Sequence, residues 1–143
     1  MPDPGLGART GGCLCGQVRY EVRGAPIYAG LCYCGDCQKA SGSAFVPFMG
    51  YAAADFEVTG QTRHVRSPAA RGGEAVRNIC PECGSLVFGG IVGVHEQHTI
   101  YAGSLDDPSA FRPTMAIFNR RRPAWSPLPE GLTVFEEMPE APP

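Results

Sequence analysis

Cys80-Pro81-Glu82-Cys83-Gly84 places two thiols at the ends of a tight turn, with a glycine directly after the second one. Sulfurs this close together can converge on one metal ion, whereas a disulfide between such near neighbours would be strained. The glycine relieves crowding where the backbone amides turn toward the thiolates. The segment therefore predicts a zinc knuckle, which supplies two ligands and needs two more from elsewhere in the chain.

The other five cysteines form two further clusters, Cys13-Leu14-Cys15-Gly16 and Cys32-Tyr33-Cys34-Gly35-Asp36-Cys37. A closed tetrahedral zinc site takes four ligands, so the simplest division of seven cysteines is four plus three. A site with three protein ligands keeps one coordination position for water or substrate. The count therefore predicts two zinc ions per chain, one structural and one reactive.

The spacing of the clusters leaves two ways of completing the knuckle, with the first cluster or with part of the middle one. The two pairs of a compact zinc ribbon lie about 15 to 20 residues apart, whereas 42 residues lie between Cys37 and Cys80. This distance favours pairing the knuckle with the first cluster, which leaves the middle cluster as a local triad. The competing division stays open on spacing alone.

Length and composition limit the function classes. The 143 residues suit one domain. A net charge of -2 and a pI near 5.9 do not provide the overall positive charge that binding to nucleic acid requires. No apolar stretch approaches the roughly 18 residues that span a bilayer, and the first ten residues lack a signal core. We expect a cytoplasmic protein that binds neither nucleic acid nor membrane, in a compartment that keeps thiols reduced.

Turn-forming residues, 19 Gly and 14 Pro, separate short alternating or β-branched segments, which is typical of a mainly β fold with little helix. A short helix is expected over Cys34–Ser41 and an N-capped turn after Asp107. Pro47 predicts an edge strand or a bulge. Strands are expected at 17–22, 44–49, 56–59, 63–66, 75–79, 86–88 and 98–102.

Three blocks of sequence resemble the glutathione-dependent formaldehyde-activating enzyme family, and their order and spacing match it. The later segments 102–108 and 123–125 are also similar, so the likeness covers roughly residues 11–136. We therefore expect a flexible N-terminus at 1–10, a single zinc-binding domain at 11–136 and a flexible C-terminus at 137–143. The three blocks are Gly12-Cys13-Leu14-Cys15-Gly16-Gln17-Val18-Arg19-Tyr20, Cys32-Tyr33-Cys34-Gly35-Asp36-Cys37-Gln38-Lys39-Ala40-Ser41-Gly42 and Cys80-Pro81-Glu82-Cys83-Gly84-Ser85.

The resemblance implies a β-tent fold, in which several small antiparallel sheets assemble around zinc. It implies a carbon–sulfur lyase similar to S-(hydroxymethyl)glutathione synthase, which joins formaldehyde to the thiol of glutathione. Tyr33 and Ala116-Ile117-Phe118 stand where members of the family often have histidine. The implied ligands are Cys13, Cys15, Cys80 and Cys83 for the structural zinc, and Cys32, Cys34 and Cys37 for the catalytic zinc.

Three thiolates around a zinc ion leave a net charge near -1, so water activation is less favoured than coordination of an incoming thiol. A tripeptide thiol carries two carboxylates, and its pocket needs basic groups or backbone amides. Lys39 and the loop Ser41-Gly42-Ser43 are the candidates, because they follow the triad directly. Arg120-Arg121-Arg122 could also neutralise an anion, but a solvated face is the simpler interpretation of that run.

A second hypothesis is a non-catalytic zinc module whose β-tent surface binds a protein. The resemblance extends to centromere protein V, whose chromatin role relies on basic sequence that this chain lacks. A purely structural module has no need for an open metal site. The three cysteines Cys32, Cys34 and Cys37 therefore favour an enzyme acting on a small thiol and a small aldehyde.

Overall fold

The computed structural model describes residues 7–139, and over this range the chain forms eleven strands and one α-helix. The predicted mainly β class with little helix is confirmed. The strands are β1 (Ala8–Gly12), β2 (Arg19–Arg23), β3 (Tyr28–Cys32), β4 (Val46–Ala52), β5 (Phe56–Thr59), β6 (Arg63–Pro68), β7 (Glu74–Ile79), β8 (Leu86–Gly89), β9 (Gln97–Tyr101), β10 (Met115–Ile117) and β11 (Thr133–Val134), and the helix is α1 (Gly35–Ser41).

The strands form two sheets of unequal size. The small sheet is antiparallel, in the order β1-β2-β5, and the large sheet has eight strands in the order β11-β10-β3-β4-β9-β8-β7-β6. In the large sheet β10 runs parallel to both of its neighbours, β3 and β11. The resemblance implied small antiparallel sheets, whereas the observed large sheet is long and mixed at one end.

The ordered fold extends beyond both predicted boundaries of the domain. Strand β1 begins at Ala8 and pairs with β2, so the predicted flexible N-terminus at 1–10 is wrong for residues 8–10. At the other end, the carbonyl of Glu137 accepts a hydrogen bond from the Phe118 N–H at 3.1 Å. The remaining terminal predictions, at residues 1–6 and 140–143, lie outside the described residues.

Strands β1, β3, β10 and β11 were not predicted, because β1 ends in two glycines, β3 lacks clean alternation, and β10 and β11 are very short. Pro47 also departs from expectation, since its strand β4 lies between β3 and β9 rather than at an edge. Pairing with β9 begins at Phe48, so the missing N–H of Pro47 falls outside that ladder.

The two faces of β4 contribute to two different clusters of buried side chains. Met49 and Tyr51 pack with Phe56 and with residues of the small sheet, in the main hydrophobic core. Phe48 points the other way and packs with Cys32 in a second cluster. This alternation follows from the two-residue period of a strand, and it puts the small sheet on one face of the large sheet and the middle cysteine cluster on the other. No helix in residues 7–139 is long and apolar enough to cross a membrane.

Candidate metal centres and the adjoining cavity

The first group of sulfurs joins two distant turns. Cys13 and Cys15 lie in the β1–β2 turn, Cys80 and Cys83 lie in the β7–β8 turn, and their four Sγ atoms all fall within 4.8 Å of one another. The Cys15 sulfur lies 3.6 Å from that of Cys13 and 3.7 Å from that of Cys80. A tetrahedron of thiolates bound at about 2.3 Å has edges of about 3.8 Å. The geometry therefore fits a closed four-sulfur zinc site.

Both turns present backbone N–H groups to their sulfurs. Val18 N–H donates to Cys13 Sγ at 3.2 Å, and Cys83 N–H donates to Cys80 Sγ at 3.5 Å. Gly16 and Gly84 have φ of 83° and 76°, a left-handed backbone that a side chain would strain. The glycine after each cysteine pair is thus required by the turn, as the sequence pattern indicated.

The second group of sulfurs is local. Cys32 ends β3, Cys34 is the N-cap of α1, and Cys37 lies in the first turn of that helix, with the three Sγ atoms within 4.8 Å of one another. Cys37 N–H donates to Cys34 Sγ at 3.2 Å. Hydrogen bonds with the other two thiols raise the pKa of Cys32 and lower the pKa of Cys34. Three converging sulfurs are soft ligands, and they fit a soft cation such as zinc.

The two sulfur groups have the membership that the sequence favoured, four from the outer clusters and three from the middle one. All seven cysteines are free thiols in this structure. Which metal they bind, and with what roles, stays a prediction.

Helix α1 is tied to the segment after β10 by one side chain. Gln38 Nε2 donates to the carbonyl of Tyr33 at 2.8 Å and to the carbonyl of Arg121 at 2.9 Å. A second link comes from the main chain, where Tyr33 N–H donates to the carbonyl of Ile117 at 3.0 Å. These bonds hold the turn at 119–121 against the loop that carries the three cysteines.

A cavity of about 310 Å³ opens beside the three-sulfur cluster. Arg120 pairs with Glu137, whereas the Arg121 guanidinium has no carboxylate partner among residues 7–139. Nη2 of Arg121 lies 3.4 Å from the point where a Cβ on Gly35 would be, so the glycine leaves room for it. The cavity is lined by Cys34, Gly35, Asp36, Ala70, Phe118, Arg120 and Arg121.

Phe118 forms one wall of this cavity in an uncommon backbone conformation. Its φ of 55° makes it the one non-glycine residue with positive φ in the described part of the chain. Its N–H is bonded to Glu137, and the neighbouring Asn119 N–H donates to the carbonyl of Phe135 at 3.0 Å. The C-terminal segment thus holds the strained turn in place, and such strain concentrates at functional sites.

A charged side chain approaches the three-sulfur cluster from inside the fold. Arg77, on β7, is only 9% exposed, and its Nη1 donates to Ser67 Oγ at 3.1 Å. Burial opposes its charge, yet the pKa of the guanidinium is raised, because the Tyr101 hydroxyl and the Cys37 and Cys34 sulfurs lie around it. Burial also raises the pKa of Tyr101. Sequence reasoning missed both residues, since nothing in a strand pattern distinguishes these two from solvated positions.

The predicted substrate residues lie at the far end of α1. Lys39 is exposed, and neither it nor the Ser41–Ser43 loop is among the residues that line the cavity. Ser41 Oγ donates to the Cys37 carbonyl at 2.7 Å, and Gly42, with φ of 68°, caps the helix. The arginines that line the cavity are Arg120 and Arg121, both expected on a solvated face, and Arg121 is the one that forms no ion pair within residues 7–139.

The side chains of Tyr33, His95 and His98 do not line the cavity. Tyr33 is fully buried and packs against Phe45, in a cluster separate from that of its neighbours Cys32 and Cys34. His98 is buried beside Phe56, and its Nδ1 lies 3.0 Å from the Gly89 carbonyl. His95 Nδ1 accepts from the Ile91 N–H at 2.7 Å, so it closes a turn.

Comparison with known proteins gives one family match. The family model described as glutathione-dependent formaldehyde-activating enzyme matches residues 8–121, which is most of the chain. No curated protein matches. A Rhodobacter sphaeroides protein of known crystal structure is similar at 19% identity, with a TM-score of 0.49, over 68% of this chain and 87% of that one.

Proposed function

Because this chain belongs to the glutathione-dependent formaldehyde-activating enzyme family, we propose that it is a zinc-dependent carbon–sulfur lyase. The thiol of glutathione or a similar small molecule adds to formaldehyde or another small aldehyde at Cys32, Cys34 and Cys37. The observation that carries this proposal is the cavity, in which the Cys34 side of the cluster and two arginines line one space. A zinc ion bound there would acidify the incoming thiol and hold its sulfur beside the carbonyl.

The chain's own residues select and orient the thiol. Arg121, which has no ion-pair partner among residues 7–139, binds a substrate carboxylate through charge-assisted hydrogen bonds, whereas the charge of Arg120 is already offset by Glu137. Asp36, on α1, also lines this cavity and suits an ammonium group. A thiol that carries both carboxylate and ammonium groups therefore complements this lining better than an uncharged thiol, and glutathione has both.

The addition balances without any further reactant. The sulfur forms a bond to the aldehyde carbon, the C=O π bond breaks, and the proton released from the thiol returns to the new hydroxyl oxygen. The reverse reaction breaks the same carbon–sulfur bond. Since the seven thiols must stay reduced for this chemistry, we place it in the cytoplasm.

The test is a thiol titration of the Co²⁺-substituted protein, followed by absorption spectroscopy of the sulfur-bound metal. Glutathione should perturb the spectrum at lower concentration than 2-mercaptoethanol, which lacks carboxylates. Arg121→Gln should weaken glutathione binding about tenfold or more, because a hydrogen bond to a charged group contributes about 1.5–3 kcal/mol. The same variant should leave 2-mercaptoethanol binding unchanged.

Arg63→Gln is the matched control, since Arg63 is exposed on β6 and does not line the cavity. Conversion itself is followed by NMR exchange between free formaldehyde and its thiol adduct, with Cys34→Ser as the inactive reference. If no thiol perturbs the Co²⁺ spectrum, the lyase proposal fails and the non-catalytic zinc module becomes the better explanation.

A further inference from the structure

Arg77 is the one buried arginine in the described range, and it has no carboxylate to offset its charge. Its side chain is 9% exposed, and none of the five ion pairs found over residues 7–139 includes it. A buried charge without an opposite charge is strongly unfavourable. Its Nη1 donates to Ser67 Oγ, which is a neutral group and does not offset the charge. The compensating negative charge must therefore come from another group.

The register of the large sheet shows where that group lies. Arg77 is directly opposite Gly89 on β8, and Gly89 is opposite Thr99 on β9, so all three share one face. Tyr101, two residues after Thr99, lies on the same face and pairs with Phe48, which belongs to the cluster around Cys32. The guanidinium therefore emerges on the face of the sheet that carries the three-cysteine cluster.

Glycine at position 89 opens the path from β7 toward these sulfurs. A Cβ at this position would lie 3.3 Å from the Tyr101 hydroxyl and 3.6 Å from the Thr99 Cβ. Without that atom, the long side chains of Arg77 and Tyr101 can extend over the strand between them. The pKa values agree with this placement. The Cys37 and Cys34 sulfurs help to raise the pKa of the Arg77 guanidinium, and the Cys37 sulfur helps to raise the pKa of Tyr101.

We infer that Arg77 is the counter-ion of the three-cysteine centre, a positioning residue that acts through the sulfurs rather than on substrate. Three thiolates and a zinc ion carry a net charge near -1, and one guanidinium brings the assembly to neutrality. This neutrality favours loading of the metal, and it lets a fourth, anionic sulfur bind without accumulating a charge of -2. The second consequence rests on the proposed function, whereas the first needs only a metal in the cluster.

The experiment compares three variants of Arg77. Arg77→Lys keeps the charge, Arg77→Gln removes it and keeps polarity, and Arg77→Met removes it and keeps length. Zinc affinity is measured by competition with a chelator. Of the two zinc-binding steps, the one that Cys34→Ser lacks belongs to the three-cysteine cluster. Retention of the other zinc and a native circular dichroism spectrum report that each variant is folded.

Arg77→Gln and Arg77→Met should weaken zinc binding at this step about ten- to a hundredfold, as removal of residues that support metal ligands does elsewhere. Arg77→Lys should stay within about threefold of the wild type, because it supplies the same charge. Arg66→Gln is the matched control, since Arg66 is exposed on the neighbouring strand β6 and pairs with Glu74 there. It should change nothing.

Equal affinity in all variants would overturn the inference, and so would an Arg77→Lys loss as large as that of Arg77→Met. If Arg77→Gln fails to fold, the comparison of Lys with Met still decides between charge and shape. A second readout is glutathione affinity at the Co²⁺ centre, which should fall in the neutral variants. If the wild type binds no thiol, the proposed function fails on its own, while the zinc measurement still tests Arg77.

Discussion

Adjacent buried polar residues on β7 serve opposite faces of the large sheet. Arg77 faces the three-cysteine cluster, whereas Asn78 is fully buried on the other side. Its Nδ2 donates to the carbonyls of Phe88 and Gly90, and its Oδ1 accepts from Thr62 at 2.8 Å. These hydrogen bonds lie at the position where the pairing of β7 with β8 shifts register, between Asn78 and Ile79. At the residue scale, Asn78 therefore satisfies backbone groups at an irregularity of the sheet, and Arg77 places a charge on the face that carries the three cysteines.

His98 gives a pH-dependent prediction at the same scale. Burial lowers its pKa, and with the carbonyl of Gly89 as its partner the neutral ring donates from Nδ1. A lowered folded-state pKa means that the unfolded chain binds the proton first, so this contribution is complete above about pH 6.5 and is lost as pH falls toward the folded value. Urea unfolding of wild type should show stability falling between about pH 7 and pH 5.

His98→Gln should remove part of that slope, because its amide can donate to the same carbonyl but does not titrate. His64→Gln, at an exposed position on β6, is the control and should retain the wild-type slope. Identical slopes in wild type and His98→Gln would contradict the assignment.

At the scale of elements, α1 and the turn at 119–121 form the frame of the cavity. The helix is short and has no buried residue of its own, so it depends on its caps and on Gln38 for its position. The position of the turn depends on the C-terminal segment, because the backbone N–H groups of Phe118 and Asn119 are hydrogen-bonded to that segment. Elements this short contribute little by propensity alone, and tertiary hydrogen bonds decide where they lie.

Gln38→Ala tests this frame. Removing two hydrogen bonds of about 1 kcal/mol each should release the turn and lower the glutathione affinity of the Co²⁺ centre about tenfold. The zinc content should not change, because no sulfur is touched. Gln61→Ala, an exposed glutamine in the loop between β5 and β6, is the matched control. An unchanged glutathione affinity in Gln38→Ala would show that the turn is held by other contacts.

At the scale of the whole molecule, the four-sulfur centre joins the small sheet to the large one. Cys13 and Cys15 belong to the β1–β2 turn and Cys80 and Cys83 to the β7–β8 turn, so one ion would close a long loop, since Cys80 lies 65 positions after Cys15. The three-sulfur centre closes only a local loop. The two centres should therefore differ in what their loss does to the fold.

We predict that the purified chain holds two zinc ions, that Cys80→Ser unfolds, and that Cys34→Ser loses one zinc and stays folded. Structural zinc contributes about 10–16 kcal/mol, which equals or exceeds the stability of a typical domain, about 5–15 kcal/mol. Metal analysis and circular dichroism check both variants side by side. A single zinc in the wild type, or a folded Cys80→Ser, would contradict the division of roles.

Much of the fold could be predicted where the signal is local. Strand β5 matches its predicted limits, and α1 and the turn capped by Asp107 follow from N-cap and proline chemistry. Strand β3 could not be predicted, because Tyr28-Ala29-Gly30-Leu31-Cys32 is buried on both faces and does not alternate. The parallel pairing of β10 with β3 brings together segments more than 80 residues apart in sequence, and no local pattern encodes it.

The amino-acid sequence by itself determined which atoms can bind metal and how they group within each cluster, because ligand spacing and glycine turns act over a few residues. Only the tertiary structure decided that Arg121 borders the cavity, that Lys39 does not, and that Arg77 lies on the face of the large sheet that carries the three cysteines. The placement of Arg121 depends on the hydrogen bond between Gln38 and the turn at 119–121, and that of Arg77 depends on the register of β7 against β8. Both arise between segments that meet only when the chain has folded.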